Sequence, residues 1–148
     1  MSDHLRELYQ EVIIEHGSNP RHFCTLDNPS CTGHGYNPLC GDQITLQLEI
    51  KDNTIANMGF QGQGCAISMA SASLMCESLI GKSIKDAENA FELFHGLLTT
   101  ESEPDERLGK LAVLSGVREF PARVKCATLA WHTLQNALSH KEMTTSTE

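Results

Sequence analysis

Apolar residues recur at helical spacing near the start of the chain: Leu5, Leu8, Tyr9, Val12 and Ile13 share one face of a segment spanning 3–16. Asp3 is placed to cap this helix and Gly17 to end it. The pattern then dissolves. Between 17 and 41 the chain carries Gly17, Asn19-Pro20, Asn28-Pro29, Gly33, Gly35, Asn37-Pro38 and Gly41, which predicts a surface loop with room for one short strand. From 43 to 51 the period becomes two. Ile44, Leu46, Leu48 and Ile50 point one way, and Thr45, Gln47, Glu49 and Lys51 the other, as in a half-buried strand. Asp52-Asn53 turns the chain into a second strand over 54–61. Gly62-Gln63-Gly64 stops it, and a helix rich in Ala, Ser and Met runs from near Cys65 to Gly81. Ser83 with Asp86 forms a variant capping box for a helix over about 84–98. An acidic, proline-containing loop follows at 101–106, then a short helix over 107–115. Residues 117–123 are predicted extended, because Pro121 disfavours helical backbone at Phe120. The last helix is expected from near Val124 through Leu129, Leu134 and Leu138, with a polar, frayed tail at 141–148.

Helix, loop, antiparallel strands and then helices describe an α+β domain: a small antiparallel sheet with helices packed on one face. A length of 148 residues suits one domain, 1–148, with one core. The net charge of −8, from 11 basic against 19 acidic residues, argues against a nucleic-acid partner. A local basic patch of Arg118, Arg123 and Lys125 near Cys126 is the exception. The opening Met1-Ser2-Asp3-His4 is polar with no apolar stretch behind it, so no secretory signal is expected. No run approaches the roughly 20 apolar residues of a membrane span. The expected compartment is the cytoplasm, where six cysteines read as metal or redox residues before disulfides.

Cys40-Gly41-Asp42 places a thiolate and a carboxylate on either side of a glycine that lets both turn to one point. Cys65 and Cys126 each fall near a predicted helix start, where backbone N–H groups favour a thiolate and lower its pKa. Three sulfurs and one oxygen suit zinc or an iron–sulfur cluster. The ligands are spread from 40 to 126 with no C-x-x-C, so the fold must assemble them; the alternative is three unrelated cysteines at helix starts. The oxygen ligand, less soft than thiolate, is suited to detach, which suggests a site whose ligands exchange. Cys24, Cys31 and Cys76 read as small buried hydrophobes or, for Cys24 and Cys31 with His16, His22 and His34, as a second metal site. Cys76, eleven residues after Cys65, lies on nearly the same helix face. Trp131 and Phe120 are expected as core or partner-face anchors.

Three segments resemble the three signatures of the IscU/NifU/SufU family: Asn37-Pro-Leu-Cys-Gly-Asp42, Gly62-Gln-Gly-Cys-Ala-Ile-Ser68 with Met69-Ala-Ser-Ala-Ser73, and Arg123-Val-Lys-Cys-Ala-Thr-Leu-Ala-Trp131. The likeness spans about 5–140. Two details resemble the SufU branch: the stretch 101–120, similar to the extra segment of that branch, and Lys125 where IscU scaffolds carry His. The resemblance implies an IscU/SufE-like fold and zinc ligands at Cys40, Asp42, Cys65 and Cys126. It also implies a sulfurtransferase role: a SufS-type cysteine desulfurase would hand persulfide sulfur to Cys40, freed from zinc by a histidine of the partner, for downstream iron–sulfur assembly proteins. Arg123 is expected to orient Cys40 or the incoming persulfide. The alternatives are a scaffold that builds a [2Fe–2S] cluster, or holds iron, on the same cysteines, and a protein whose zinc is purely structural.

Overall fold

The computed structural model describes residues 3–100, 105–139 and 144–146. In order they form α1 (Asp3–Ser18), β1 (Cys31–Asn37), β2 (Asp42–Lys51), β3 (Thr54–Gln63), α2 (Ala66–Leu79), α3 (Ile84–Thr99), a 3₁₀ stretch (Glu106–Glu119), α4 (Pro121–Leu138) and β4 (Thr144–Ser146). β1, β2 and β3 are antiparallel neighbours, and β4 adds a short parallel edge beside β1. The alternation of β2 buries Ile44, Leu46 and Leu48 against the helices and turns Gln43 and Thr45 away. The β2–β3 connection is a two-residue turn with positive φ at both Asp52 (52°) and Asn53 (59°), the geometry that matches strand twist in a tight hairpin. Among the described residues no helix is long and apolar enough to cross a membrane.

α2 is the central helix. Ten of its residues are buried, and Ala and Ser supply much of its surface, so its neighbours approach closely. The Ser71 hydroxyl donates to the carbonyl of Ala127 in α4. A Cβ on Gly17 would sit 2.9 Å from the Ala66 carbonyl oxygen. Gly17 therefore does not end α1, as the sequence predicts; it lies inside the helix and lets α1 reach the start of α2. α4 crosses β1 on the inner face of the sheet. Gly33 and Gly35 make this possible: a Cβ on Gly33 would lie 2.5 Å from the Thr133 carbonyl oxygen, and one on Gly35 would overlap the Thr133 hydroxyl. Trp131 of α4 is buried and stacks on Phe94 of α3 with ring centroids 4.8 Å apart.

The prediction departs from the structure mainly over 106–126. No extended segment occurs at 117–123. Leu108, Leu111, Leu114 and Val117 are all buried at a spacing of three, the 3₁₀ repeat, which brings residues three apart onto one face. Gly109 breaks the stretch with φ 54°. Phe120 is non-helical (φ −126°, ψ 86°), as a residue before proline should be, but Pro121 then begins α4. The last helix thus starts three residues before the predicted Val124. Of the predicted acidic loop, 101–104 lie outside the described residues; Asp105 caps the 3₁₀ stretch by accepting the Arg107 backbone N–H at 2.9 Å. The predicted frayed tail lies largely outside the described residues too, except that 144–146 form β4.

His16 ties three segments together in the interior. The Ser73 hydroxyl lies 2.7 Å from His16 Nδ1 and accepts the Arg21 backbone N–H at 2.8 Å. His16 Nε2 lies 3.7 Å from Glu77. Burial pushes the imidazole below its ordinary 6.5; Arg21 and Lys110 push the same way, and Glu77 opposes them. The unfolded chain consequently binds this proton more readily than the folded one. The stability contributed is complete above pH 6.5 and is lost as pH falls below it, through the folded-state value. The zinc-free protein should melt at progressively lower temperature from pH 7.5 to 5.5, and His16→Gln should flatten that dependence. An unchanged slope in the variant would assign the effect elsewhere, first to His132, which burial also lowers.

Candidate metal centre

The hairpin between β1 and β2 closes with the pair Asn37 and Asp42, leaving Pro38, Leu39, Cys40 and Gly41 in its loop. Gly41 adopts φ 71°, a left-handed conformation that glycine enters without Cβ strain. This turn brings Cys40 back over the strand ends. α4, running antiparallel to β1 across the glycines, brings Cys126 to the same end of the sheet. The result is a compact donor group: one donor atom each from Cys40, Asp42 and Cys126, all within 4.8 Å of one another. Among the described residues no other cluster of this kind is found, so the second site considered for Cys24, Cys31 and the loop histidines is not assembled. Cys31 and Cys76 are buried thiols, and burial pushes Cys76 up to about 12. Cys24 is exposed.

Asp42 has no solvent exposure. Its Oδ1 accepts the backbone N–H of Cys65 at 2.8 Å, and its Oδ2 accepts from Asn37 Nδ2 at 3.1 Å. A Cβ on Gly64 would overlap Oδ1, so the glycine before Cys65 is what allows this approach. The sequence suggests the carboxylate as the ligand that detaches. In the structure this carboxylate is buried with both oxygens hydrogen-bonded, whereas Cys40 is partly exposed on the hairpin loop.

Cys126 lies one turn deeper in α4 than predicted, because the helix begins at Pro121. Its thiol is buried, 3.2 Å from Cys40 Sγ and 3.5 Å from Asn37 Nδ2. Burial raises its pKa, with the hydrogen bonds to Cys40 and Asp42 adding to the effect. For Cys126 the expected lowering is therefore reversed: the helix start lies too far away, and desolvation of the thiolate dominates. Cys65 does occupy the position immediately before α2, partly exposed. Its backbone joins the group through Asp42, while its thiol stays outside the 4.8 Å cluster. Arg123, exposed in the first turn of α4, directs Nη1 to Cys40 Sγ at 3.6 Å. Hydrogen bonding to Cys126 and the fields of Cys40 and Cys65 hold its guanidinium even more firmly charged than usual. Arg118 donates to the Thr100 carbonyl at 3.3 Å. Leu39 and Phe120, at 58% and 60% exposure, are apolar side chains on the segments that carry Cys40 and Arg123.

The donor set fits a metal. Zn–S and Zn–O bonds are about 2.0–2.3 Å, so atoms that close together can share one ion. Two thiols and an anchored carboxylate are the ligand types zinc takes, and Cys65 stands next to them as a candidate fourth. Sequence reasoning missed Asn37 as a buried donor and Gly64 as a spacer. Asn37-Pro38 reads as a turn, which it is, and nothing local reveals that the amide points inward.

A profile of the NifU-like N terminal domain matches residues 8–127. The chain is 39% identical over 139 residues to the zinc-dependent sulfurtransferase SufU of Bacillus subtilis, covering 93% of this chain and 94% of that protein. It is 37% identical over 135 residues to the iron–sulfur cluster assembly scaffold protein IscU of Streptococcus pyogenes, covering 90% and 84%. Among solved structures, a Fervidobacterium islandicum protein named for iron–sulfur cluster assembly in the SUF system superposes with a TM-score of 0.83 at 32% identity, covering 93% of this chain and 99% of that one.

Proposed function

From the membership of this chain in the NifU-like N-terminal domain family, we propose that it is a zinc-dependent sulfur acceptor, of the SufU type, which takes persulfide sulfur from a SufS-type cysteine desulfurase for iron–sulfur cluster assembly. The observation that carries this reading is the asymmetry of the donor group. Asp42 and Cys126 are buried and tied down, whereas Cys40 sits on a hairpin loop, partly exposed, with a cationic guanidinium on its sulfur.

Zinc held by Cys40, Asp42, Cys126 and Cys65 would supply a redox-inert positive charge that favours thiolate over thiol. The chemistry itself belongs to Cys40. Its thiolate attacks the outer sulfur of the persulfide on the partner's cysteine. The bond between the two persulfide sulfurs breaks, the partner's cysteine leaves as a thiolate, and Cys40 keeps the transferred sulfur as its own persulfide. No electron donor is needed, since one sulfur–sulfur bond replaces another. Arg123 is placed to orient Cys40 Sγ and to offset the negative charge of the two approaching sulfurs. Leu39 and Phe120 provide apolar contact for a docking partner around the exposed thiol.

A cluster-scaffold role is the second reading, favoured by the likeness to the Streptococcus pyogenes protein. A two-iron cluster divides its ligands between two metals separated by bridging sulfides. The donor atoms of Cys40, Asp42 and Cys126, within 4.8 Å of one another, support a single ion at that point.

The test is turnover of a cysteine desulfurase with this protein added in zinc-loaded and zinc-stripped forms. Strong stimulation by the zinc form alone is expected. In the same assay Arg123→Ala should lose several-fold in stimulation while retaining its zinc. No stimulation by folded, zinc-loaded protein, with a stable cluster forming on reconstitution with iron and sulfide, would replace this reading with the scaffold.

A further inference from the structure

Asn37 is buried without exposure beneath the donor group, and its amide has an unusual set of partners. One Nδ2 atom serves two groups of the centre: Asp42 Oδ2 at 3.1 Å and Cys126 Sγ at 3.5 Å. The amide oxygen, Oδ1, has no hydrogen-bond partner among the described residues. The opposite orientation would turn that carbonyl toward the Asp42 carboxylate, so electrostatics sets the amide as it stands. A buried asparagine that leaves its acceptor idle and spends both N–H groups on the metal-site side chains is committed to donation. Its placement is fixed by the fold. It pairs with Asp42 across the mouth of the hairpin, 89 residues from Cys126 in sequence.

We propose that Asn37 is a positioning residue of the sulfur-accepting centre: its amide clamps Asp42 and Cys126 as a fixed pair, so that Cys40 is the ligand that leaves. This rests on the function proposed above. The Cys65 backbone N–H holds the other oxygen of Asp42, so the carboxylate is restrained from two sides. Cys126 is restrained by the same amide and by its place inside α4. The hydrogen bonds of the Cys40 sulfur run instead to Cys126 and to the exposed Arg123. The difference in restraint selects which thiol is released for attack.

Asn37→Leu keeps similar volume and removes both donors, and Asn37→Asp keeps the shape and replaces the amide with an acceptor. Zinc affinity by chelator competition should fall about 10–100-fold in the Leu variant, the usual effect of losing an outer-shell hydrogen bond to a ligand, and further in the Asp variant. Limited alkylation of the zinc-loaded protein, mapped by peptide mass spectrometry, supplies the second readout. In the wild type, Cys40 should react well ahead of Cys126; in Asn37→Leu, Cys126 should become competitive. A residue that only fills space would change neither readout in the Leu variant, so unchanged affinity and unchanged thiol order would overturn the proposal. If the variants do not fold, the wild type decides: both Asn37 side-chain amide protons should be protected from solvent exchange in the zinc form, and rapid exchange of both would overturn it. Desulfurase stimulation by the wild type judges the proposed function separately. Stimulation with an unaffected Leu variant removes only the role of Asn37. Absence of stimulation removes the function and leaves affinity and thiol order to judge the clamp.

Discussion

Cys40→Ala should abolish sulfur acceptance, bringing desulfurase turnover down to the rate without added protein, while leaving the fold intact. The thiol lies on the four-residue loop of the β1–β2 hairpin, and the left-handed Gly41 that shapes the loop is untouched by the substitution. Cys40 is not in the buried core; its sulfur contacts Cys126 and Arg123. Its removal should therefore change zinc-free stability by only about 0.5 kcal/mol, the range of surface changes away from special features. The expected signature is separation: a melting curve near that of the wild type beside complete loss of stimulation and of a mass-detectable persulfide. Stimulation persisting in the folded Ala variant would move the acceptor to another thiol, with Cys65, partly exposed at the start of α2, the first candidate.

Asp42→Ala should show the opposite profile, losing stability and metal together. The carboxylate is buried and accepts hydrogen bonds from Cys65 N–H and Asn37 Nδ2. Truncation leaves the buried Asn37 amide and the part-buried Cys65 N–H without their acceptor, at about 1–3 kcal/mol for each group that stays unsatisfied. Relaxation and water entry offset part of this, so a zinc-free destabilisation of about 1–3 kcal/mol is expected. Zinc affinity should fall by more than the ~10–100-fold typical of outer-shell changes, since a ligand is lost outright. Asp42→Asn should recover stability but not zinc affinity: its amide can accept from the Cys65 N–H, and a flipped Asn37 can accept its N–H through the unpartnered Oδ1, but a neutral amide replaces the anionic ligand. Thermal melts and chelator competition on both variants check this. Wild-type zinc affinity in Asp42→Ala would show that the carboxylate is not a ligand.

The contrast between these two variants reflects what could be read along the chain and what could not. The period-two run of β2, the Asp52-Asn53 turn and the Ser83 cap of α3 were legible because each is a local preference: burial of alternate side chains, a left-handed turn, an oxygen accepting the Asp86 N–H at 3.0 Å. Cys40, Asp42 and Cys126, which the fold brings within 4.8 Å of one another, stand out in the sequence by residue type, whereas nothing local shows that the Cys65 thiol lies outside that group. The helix read over 107–115 is present, but its 3₁₀ type and its extension to Glu119 go unread although Leu108, Leu111, Leu114 and Val117 repeat every three residues. Four apolar positions at that spacing also fit a helical turn, and only burial under α1, α2 and α3 distinguishes them.

Gly17, Gly33 and Gly35 read as loop residues in the sequence and proved to be contact points, because a missing Cβ has the same local signal whether the chain turns there or another helix presses against it. The raised pKa of the Cys126 thiol in the metal-free site has the same kind of origin. Its position near a helix start suggests a stabilised thiolate, and desolvation by the packed core reverses that. By itself, then, the sequence determined most of the elements outside 106–126, the helix-on-sheet arrangement and the chemical types at the centre, all of which depend on short-range geometry and side-chain chemistry. The tertiary structure decided which donors meet, which are buried and hydrogen-bonded, and which one is left partly exposed. Those properties depend on desolvation and on contacts between residues as far apart as Asn37 and Cys126, and neither has a local counterpart in the chain.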